Sequence, residues 1–302
     1  MADSFDFRSH QEYRVPVDGG EVAVLRWAAS DPQAETVVLV HGITANAMAW
    51  AGVVAAVAGR VHLVALDLRG RAGSRQVAGP WGIVQDVQDV IAVLDHAGLG
   101  RVRLVGHSLG AFVASNVARL HPDRVGQVLA VDGGVGFPVP VGIDPDAVLA
   151  MVLGPAMSKL AMTFPDAEAY LDFHRVHPAF VGNWTPEMTA YLGRDTLVQE
   201  DGTVISSCIA EAIRVDGAQI LVDTSVVNAI KQLSCPVTLL YAERGLLNEE
   251  QALYDDSRLA FAQLPAAVET VFVPGTNHYT IVGPGAGADA IAEHILAGPK
   301  SE

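Results

Sequence analysis

Short apolar runs alternate along the chain with longer stretches in which apolar residues recur every three or four positions. Thr36–Val40 ("TVVLV"), residues 61–66 ("VHLVAL"), 102–105 and Val125–Val131 are almost uninterrupted in Val, Leu and Ala. Runs of that length and composition predict strands buried on both faces, as in a parallel sheet. Between the second and third lies "WGIVQDVQDVIAVLDHAGLG", where Ile83, Val87, Val90, Ile91 and Leu94 keep helical spacing and Gly98 supplies the stop. Strand, helix, strand, helix in that order predicts a doubly wound α/β sheet. Ahead of it, "EYRVPV" and "EVAVLRW" flank Asp18-Gly19-Gly20 and read as an antiparallel hairpin on the sheet edge.

After Val131 the rhythm breaks. Residues 133–234 hold helix starts at Pro165-Asp166 and Thr185-Pro186-Glu187, each placing proline at a plausible first helical position. Aromatic residues and methionines are frequent there, and strand-like runs are few. "CPVTLLYAERG" then restores a strand, "ALYDDSRLAFAQL" a helix, "VETVFV" a strand and "AGADAIAEHILAG" a last helix. The expected organisation is a core of residues 1–132 and 235–302, interrupted by a mostly helical cap insertion of residues 133–234.

Composition narrows the class. Half of the 302 residues are hydrophobic and 18% are charged, as in a globular protein. A formal net charge of −15 disfavours nucleic acid and anionic membrane as partners. Two cysteines, Cys208 and Cys235, make a disulfide framework improbable and suit a reducing compartment. The N-terminus carries Asp3 and Asp6 where a secretion signal needs basic and then apolar residues, and no apolar run reaches the roughly 20 residues of a membrane span. The expectation is a cytoplasmic protein without membrane attachment; homo-oligomer formation is left open.

The chemistry begins at "VRLVGHSLGAF". Gly-His-Ser-Leu-Gly joins an apolar strand to an Ala-rich helix. A turn so tight strains the residue at its tip, and flanking glycines remove side chains that would clash. Ser108 then stands exposed near the N-terminus of the following helix, and the N–H of Leu109 can face a developing oxyanion. The adjacent His107 points away on such a turn and reads as packing. His278, in the loop of "VFVPGTNHYTIV" after the last strand, is the better base. His41-Gly42 directly follows a buried strand, which aims the N–H of Ile43 at the same edge. His174 and His177, three residues apart, have no supporting cysteine or carboxylate cluster, so no metal is expected.

With these pieces the chain resembles the α/β-hydrolase superfamily, in its serine esterase and lipase branch with a helical cap. "VVLVHG", "ALDLRGRAGS", "VRLVGHSLG", "HPDRVGQVLAVD", "CPVTLLYAERG" and "PGTNHY" occur in the family's order and cover nearly the whole chain around the insertion. The resemblance implies Ser108 as nucleophile, His278 as base, the N–H groups of Ile43 and Leu109 as oxyanion hole, and Asp67 as a loop-bracing residue. Two departures stand out. Many members carry the triad acid where this chain has Gly245; Asp132, 24 residues after Ser108, is the first alternative and Glu243 the second. Relatives also more often show Gly-His-Gly-x-Ser where this chain has "RGRAGS", which leaves that loop's conformation open. The implied reaction is cofactor-free hydrolysis of a small apolar carboxylic ester, lactone or thioester through an acyl-enzyme. Carbon–carbon bond hydrolysis of a ring-cleavage product, perhydrolase activity and non-catalytic ligand binding are the alternatives.

Overall fold

The computed structural model describes residues 5–137, 142 and 144–298. Among the described residues there are ten strands: β1 Gln11–Val17, β2 Gly20–Trp27, β3 Thr36–Val40, β4 His62–Leu66, β5 Val102–His107, β6 Val125–Val131, β7 Thr196–Val198, β8 Val204–Ser206, β9 Val237–Arg244 and β10 Val268–Asn277. Eight of them form one sheet in the order β1-β2-β4-β3-β5-β6-β9-β10. The β1–β2 hairpin is antiparallel and joins β4 antiparallel, while the pairs from β4 to β10 are all parallel. This is the α/β-hydrolase architecture.

The helices are α1 Ala51–Val57, α2 Ile83–His96, α3 Leu109–Leu120, α4 Pro145–Ser158, α5 Ala167–Arg175, α6 Pro186–Arg194, α7 Ala210–Val222, α8 Thr224–Val227, α9 Asp256–Ala262 and α10 Ala286–Ala297. α1 packs with α10, and α2 with α3. Two apolar clusters, one holding Val38, Leu104 and Val128 and the other Val37, Val105 and Leu129, follow the strict alternation of neighbouring strand residues. β4 and β5 are buried at every position, which is why their sequences show no polar face. α2 follows its helical stripe and stops before Gly98, whose φ is +61°. None of the described helices is long and apolar enough to cross a membrane.

The chain leaves the sheet after β6 and returns at β9. Between them α5, α6 and the β7–β8 hairpin share a small apolar cluster around Phe164, Tyr170, Phe180 and Met188. α7 packs on α4 and also reaches α3 of the core. The β7–β8 hairpin, of two three-residue strands, is not placed by the sequence reading of few strand-like runs. Its signal is Asp201-Gly202 between two β-branched runs, with Gly202 at φ +85° and Asp201 Oδ1 accepting from Thr203 N at 3.0 Å. α6 begins at Pro186 after the Thr185 cap, but Pro165 lies one residue before its helix cap, Asp166, whose Oδ1 accepts from Ala169 N at 2.8 Å.

The sheet order sets the place of chemistry. From β3 the chain steps to β4 on one side, then crosses back to β5 on the other. Loops leaving the C-terminal ends of β3 and β5 therefore diverge and open a crevice, the usual ligand position in such sheets. Ile43 and Ser108 lie just beyond those two ends.

Candidate active site

Ser108 is the residue between β5 and α3, with φ +53° and ψ −119°. A side chain rarely adopts that backbone, which costs on the order of 1–3 kcal/mol and persists only where surroundings enforce it. Here the enforcement is close packing. A Cβ at Gly106 would overlap the carbonyl of Gly110, and one at Gly110 would overlap the carbonyl of Val40. Both glycines of the motif thus let helix and strand approach closer than any side chain allows.

From Ser108 a line of hydrogen bonds runs inward. Its Oγ lies 3.1 Å from His278 Nε2, and His278 Nδ1 lies 2.7 Å from Asp132 Oδ2. His278 is only 4% exposed and Asp132 not at all. Asp132 directly follows β6, with φ +44°, a conformation aspartate tolerates better than most residues. Its N–H donates to the Leu240 carbonyl at 2.7 Å, and its Oδ1 accepts from Ala242 N–H at 3.1 Å. The carboxylate thus continues the ladder to β9, and its second oxygen is left for the imidazole.

Glu243, the other carboxylate considered, is exposed on β9 and accepts from Gly275 N at 2.6 Å. It is not joined to His278. A Cβ at Gly245 would overlap the Glu249 carboxylate, and Gly245 N donates to the Glu249 carbonyl at 3.0 Å. The loop therefore closes on itself at the position where an acid is commonest.

The loop bearing His278 is fastened at several points. Asn277 Oδ1 accepts from the N–H groups of Tyr279 and Thr280, while its Nδ2 donates to the Ala179 carbonyl at 3.0 Å. His107, read from the sequence as packing, does more than fill space: its Nε2 donates to the carbonyl of His278 itself at 2.8 Å. Burial holds the His107 ring well below the ordinary histidine pKa and hence neutral, which fixes Nε2 as the protonated nitrogen. No sequence signal separates that role from packing, because the partner is a backbone atom 171 residues away.

The Ile43 loop is also anchored. Leu109 opens α3, so its N–H has no acceptor inside the helix. Gly42 packs against His107 and Ser108, where a Cβ would come within 3.2 Å of the imidazole and 3.3 Å of the Ser108 Cβ. Arg71, fully buried, donates through Nε to the Ile43 carbonyl at 3.0 Å and through Nη2 to Asp216 of α7 at 2.5 Å. Arg71 is the second arginine of "RGRAGS"; the first, Arg69, is also buried and grips Asp89 of α2 through Nε and Nη2, so both guanidinium forks brace that unusual loop. Asp67 accepts from Ala47 N at 2.7 Å, Gly73 N at 2.9 Å and Arg194 Nη2 at 2.7 Å, bracing two loops and one helix.

Two clefts meet at Ser108. One is lined by Phe180, Met188, Tyr191, Tyr279 and Val282, with Glu187 at its side. The other is lined by Phe112, Phe137, Leu149, Ile220, Leu221 and Leu253. His174 donates from Nδ1 to the Tyr170 carbonyl at 2.9 Å, while His177 Nδ1 accepts from Ala179 N at 3.3 Å. Burial lowers the His174 pKa to about 4. Cys208 and Cys235 are both free and buried.

Comparison with known proteins identifies the chain at the level of the family. Residues 37–292 match the family described as "Alpha/beta hydrolase family". Epoxide hydrolase B of Mycobacterium tuberculosis is 37% identical over 117 residues, which is 36% of this chain and 33% of that protein. The chain thus spans only about a third of the first curated relatives it matches. Lipase LipV of the same organism is 29% identical over 218 residues, covering 66% of this chain and 81% of LipV. Among solved structures, E-2-(acetamidomethylene)succinate hydrolase superposes with a TM-score of 0.75 at 22% identity, over 95% of this chain and 99% of that one. With the parallel part of the sheet, from β3 to β10, inside the matched span, the chain belongs to the alpha/beta hydrolase family.

Proposed function

We propose that the protein is a serine hydrolase of carboxylic esters, lactones or thioesters with a largely apolar body, working through an acyl-enzyme on Ser108. The observation that carries this reading is the unbroken line from Ser108 Oγ through His278 to Asp132, opening onto apolar clefts. His278 Nε2 takes the Ser108 proton as Oγ attacks the acyl carbon. The tetrahedral oxyanion faces the N–H groups of Ile43 and Leu109, each donor contributing on the order of 3 kcal/mol at the transition state. Collapse breaks the bond to the leaving oxygen or sulfur, which receives the proton from His278. Water then repeats the sequence on the acyl-enzyme and releases the acid with Ser108 restored. Asp132 stabilises the imidazolium formed in each half.

Ser108 also argues against epoxide opening. Attack of a serine on an epoxide leaves an alkyl ether, which this machinery has no means of cleaving; the acyl-enzyme of an ester is itself an ester. No described lysine or arginine lines either cleft at Ser108, so a dicarboxylate of the kind named for the succinate hydrolase is a poor guide to the substrate here. Residues 133–234 act as a cap in this reading, supported by Phe180, Tyr191, Leu149 and Ile220 sharing cleft walls with Ser108.

The test is turnover of short-chain p-nitrophenyl esters, together with labelling by an organophosphonate and mass mapping of the adduct. Turnover with the adduct on Ser108 is expected. A labelled protein whose adduct lies elsewhere, or no ester turnover at all, overturns the reading.

A further inference from the structure

The clefts at Ser108 are unequal in charge. The one bounded by Phe112 and Leu149 is apolar apart from the catalytic groups themselves. The other contains one further carboxylate, Glu187, and no described cation to meet it. Glu187 stands second in α6, after the Thr185 cap and Pro186, and Thr185 already accepts from Met188 N–H at 3.3 Å. Capping is therefore done without it. Glu168 and Glu211, likewise in first helical turns, do pair with Arg175 and Arg214. Among the described residues Glu187 has no such partner, although it is half-buried in the wall of the cleft.

Its neighbours add a second observation. Tyr191 follows Glu187 by four residues on the same helix, so both face one side of α6, and both line the cleft. Tyr279 lies 5.4 Å from the His278 ring, and Phe180 lies 5.1 Å from Tyr279, each edge-on or steeply inclined to the other. An aromatic wall thus runs outward from the base along the cleft that holds the carboxylate. Aromatic faces together with one carboxylate make a site for an alkylated ammonium group: the cation is attracted by the ring quadrupoles and its charge is met by the anion. An anionic substrate would meet repulsion from Glu187, with no lysine or arginine among the described residues lining the cleft to offset it.

We infer that this cleft receives a cationic, alkylammonium-bearing end of the substrate, with Glu187 as the residue that selects it. The inference rests on the serine-hydrolase reading for the position of the scissile bond, but not for binding of the cation. The substrate class becomes an ester whose one arm is apolar and whose other arm ends in a substituted ammonium.

The test uses isosteric pairs. Choline butyrate is compared with 3,3-dimethylbutyl butyrate, and p-nitrophenyl 4-(trimethylammonio)butanoate with p-nitrophenyl 5,5-dimethylhexanoate. This places the charge once on the alcohol and once on the acyl side. In one of the two pairs the cationic ester should lead by about tenfold in kcat/KM. That ratio should fall to about one in Glu187→Gln and invert in Glu187→Lys. Calorimetric binding of phenyltrimethylammonium against neutral tert-butylbenzene, measured on Ser108→Ala, provides a readout independent of turnover. Preference for the cation there, lost with Glu187→Gln, supports the inference even if none of these esters is hydrolysed. Equal binding, or a cationic advantage that survives Glu187→Gln, overturns it; absence of ester turnover alone overturns only the reaction assigned to Ser108.

Discussion

At the scale of single residues, the site depends on a few contacts in which one partner is a backbone atom. Asp132 is fixed by the N–H of Ala242, and His278 by the side chain of His107 reaching its carbonyl. Replacing Ser108 with alanine should reduce ester turnover to below a few per cent and leave Tm nearly unchanged, since the strained backbone is kept and only the nucleophile is lost. Retained activity in that variant would remove Ser108 from the reaction. The acid is separable in the same way. Asp132→Asn should lower kcat by at least a hundredfold with little change in KM, because the base loses the partner that fixes its tautomer and stabilises its charge. Glu243→Gln, which alters an exposed contact to Gly275, should cost less than tenfold. Steady-state kinetics on the two variants would give the ranking, and the reverse order would reassign the acid.

At the scale of elements, the Ile43 loop is set by a buried ion pair that crosses from the β4–α2 connection to α7. Arg71 holds the Ile43 carbonyl and Asp216 at once. Removing either partner alone leaves a buried charge and should cost about 3–5 kcal/mol of stability. Arg71→Met combined with Asp216→Leu removes the pair together. That double variant should recover most of the lost Tm while kcat stays at least tenfold down and KM moves little, because the Ile43 carbonyl then loses its side-chain donor. Full recovery of kcat would mean that Arg71 serves the fold only. α4 and α7 meet the same question from the substrate side. Leu149 and Ile220 line the apolar cleft, so Ile220→Trp should fill it and lower the hexanoate-to-acetate ratio for p-nitrophenyl esters by about tenfold. An unchanged ratio would place the variable chain in the other cleft.

For the whole molecule, several buried titratable groups pull stability in opposite directions with pH. Burial lowers the pKa of His41 to about 4, so that ring disfavours the fold as pH falls below its unfolded value of about 6.5. Asp86 is the opposite case. It is fully buried on α2, neither carboxylate oxygen has a hydrogen-bond partner, and burial, followed by the nearby Asp216, raises its pKa well above the usual carboxylate range. Its neutral form is the one the fold accepts. That contribution is fully present below pH of about 3.8 and is lost as pH rises toward the folded pKa. Asp86→Asn removes the titration. Its Tm should match that of the parent near pH 4 and exceed it by a few degrees at pH 7.5, measured by calorimetry across that range. A constant difference would mean that Asp86 is ionised in the fold.

The sequence by itself determined the parallel sheet, because strands buried on both faces leave no polar alternation, and α2, because its apolar stripe has helical period. It also singled out Ser108, since the flanking glycines mark so tight a strand-to-helix bend. The tertiary structure decided what depends on contacts between distant segments. Asp132 and Glu243 were both open as partners of His278 in the sequence, and the choice follows from β6 lying between β5 and β9, with the end of β6 beneath the base. His107 and Arg71 bond to carbonyls, and a carbonyl is the same at every position, so no residue pattern marks those contacts. Glu187 read only as an acid in a helical first turn; its place in the cleft wall exists because α6 folds back over the crevice between β3 and β5. Local periodicity fixes elements, whereas which side chains meet across the crevice is set by the order in which the strands assemble.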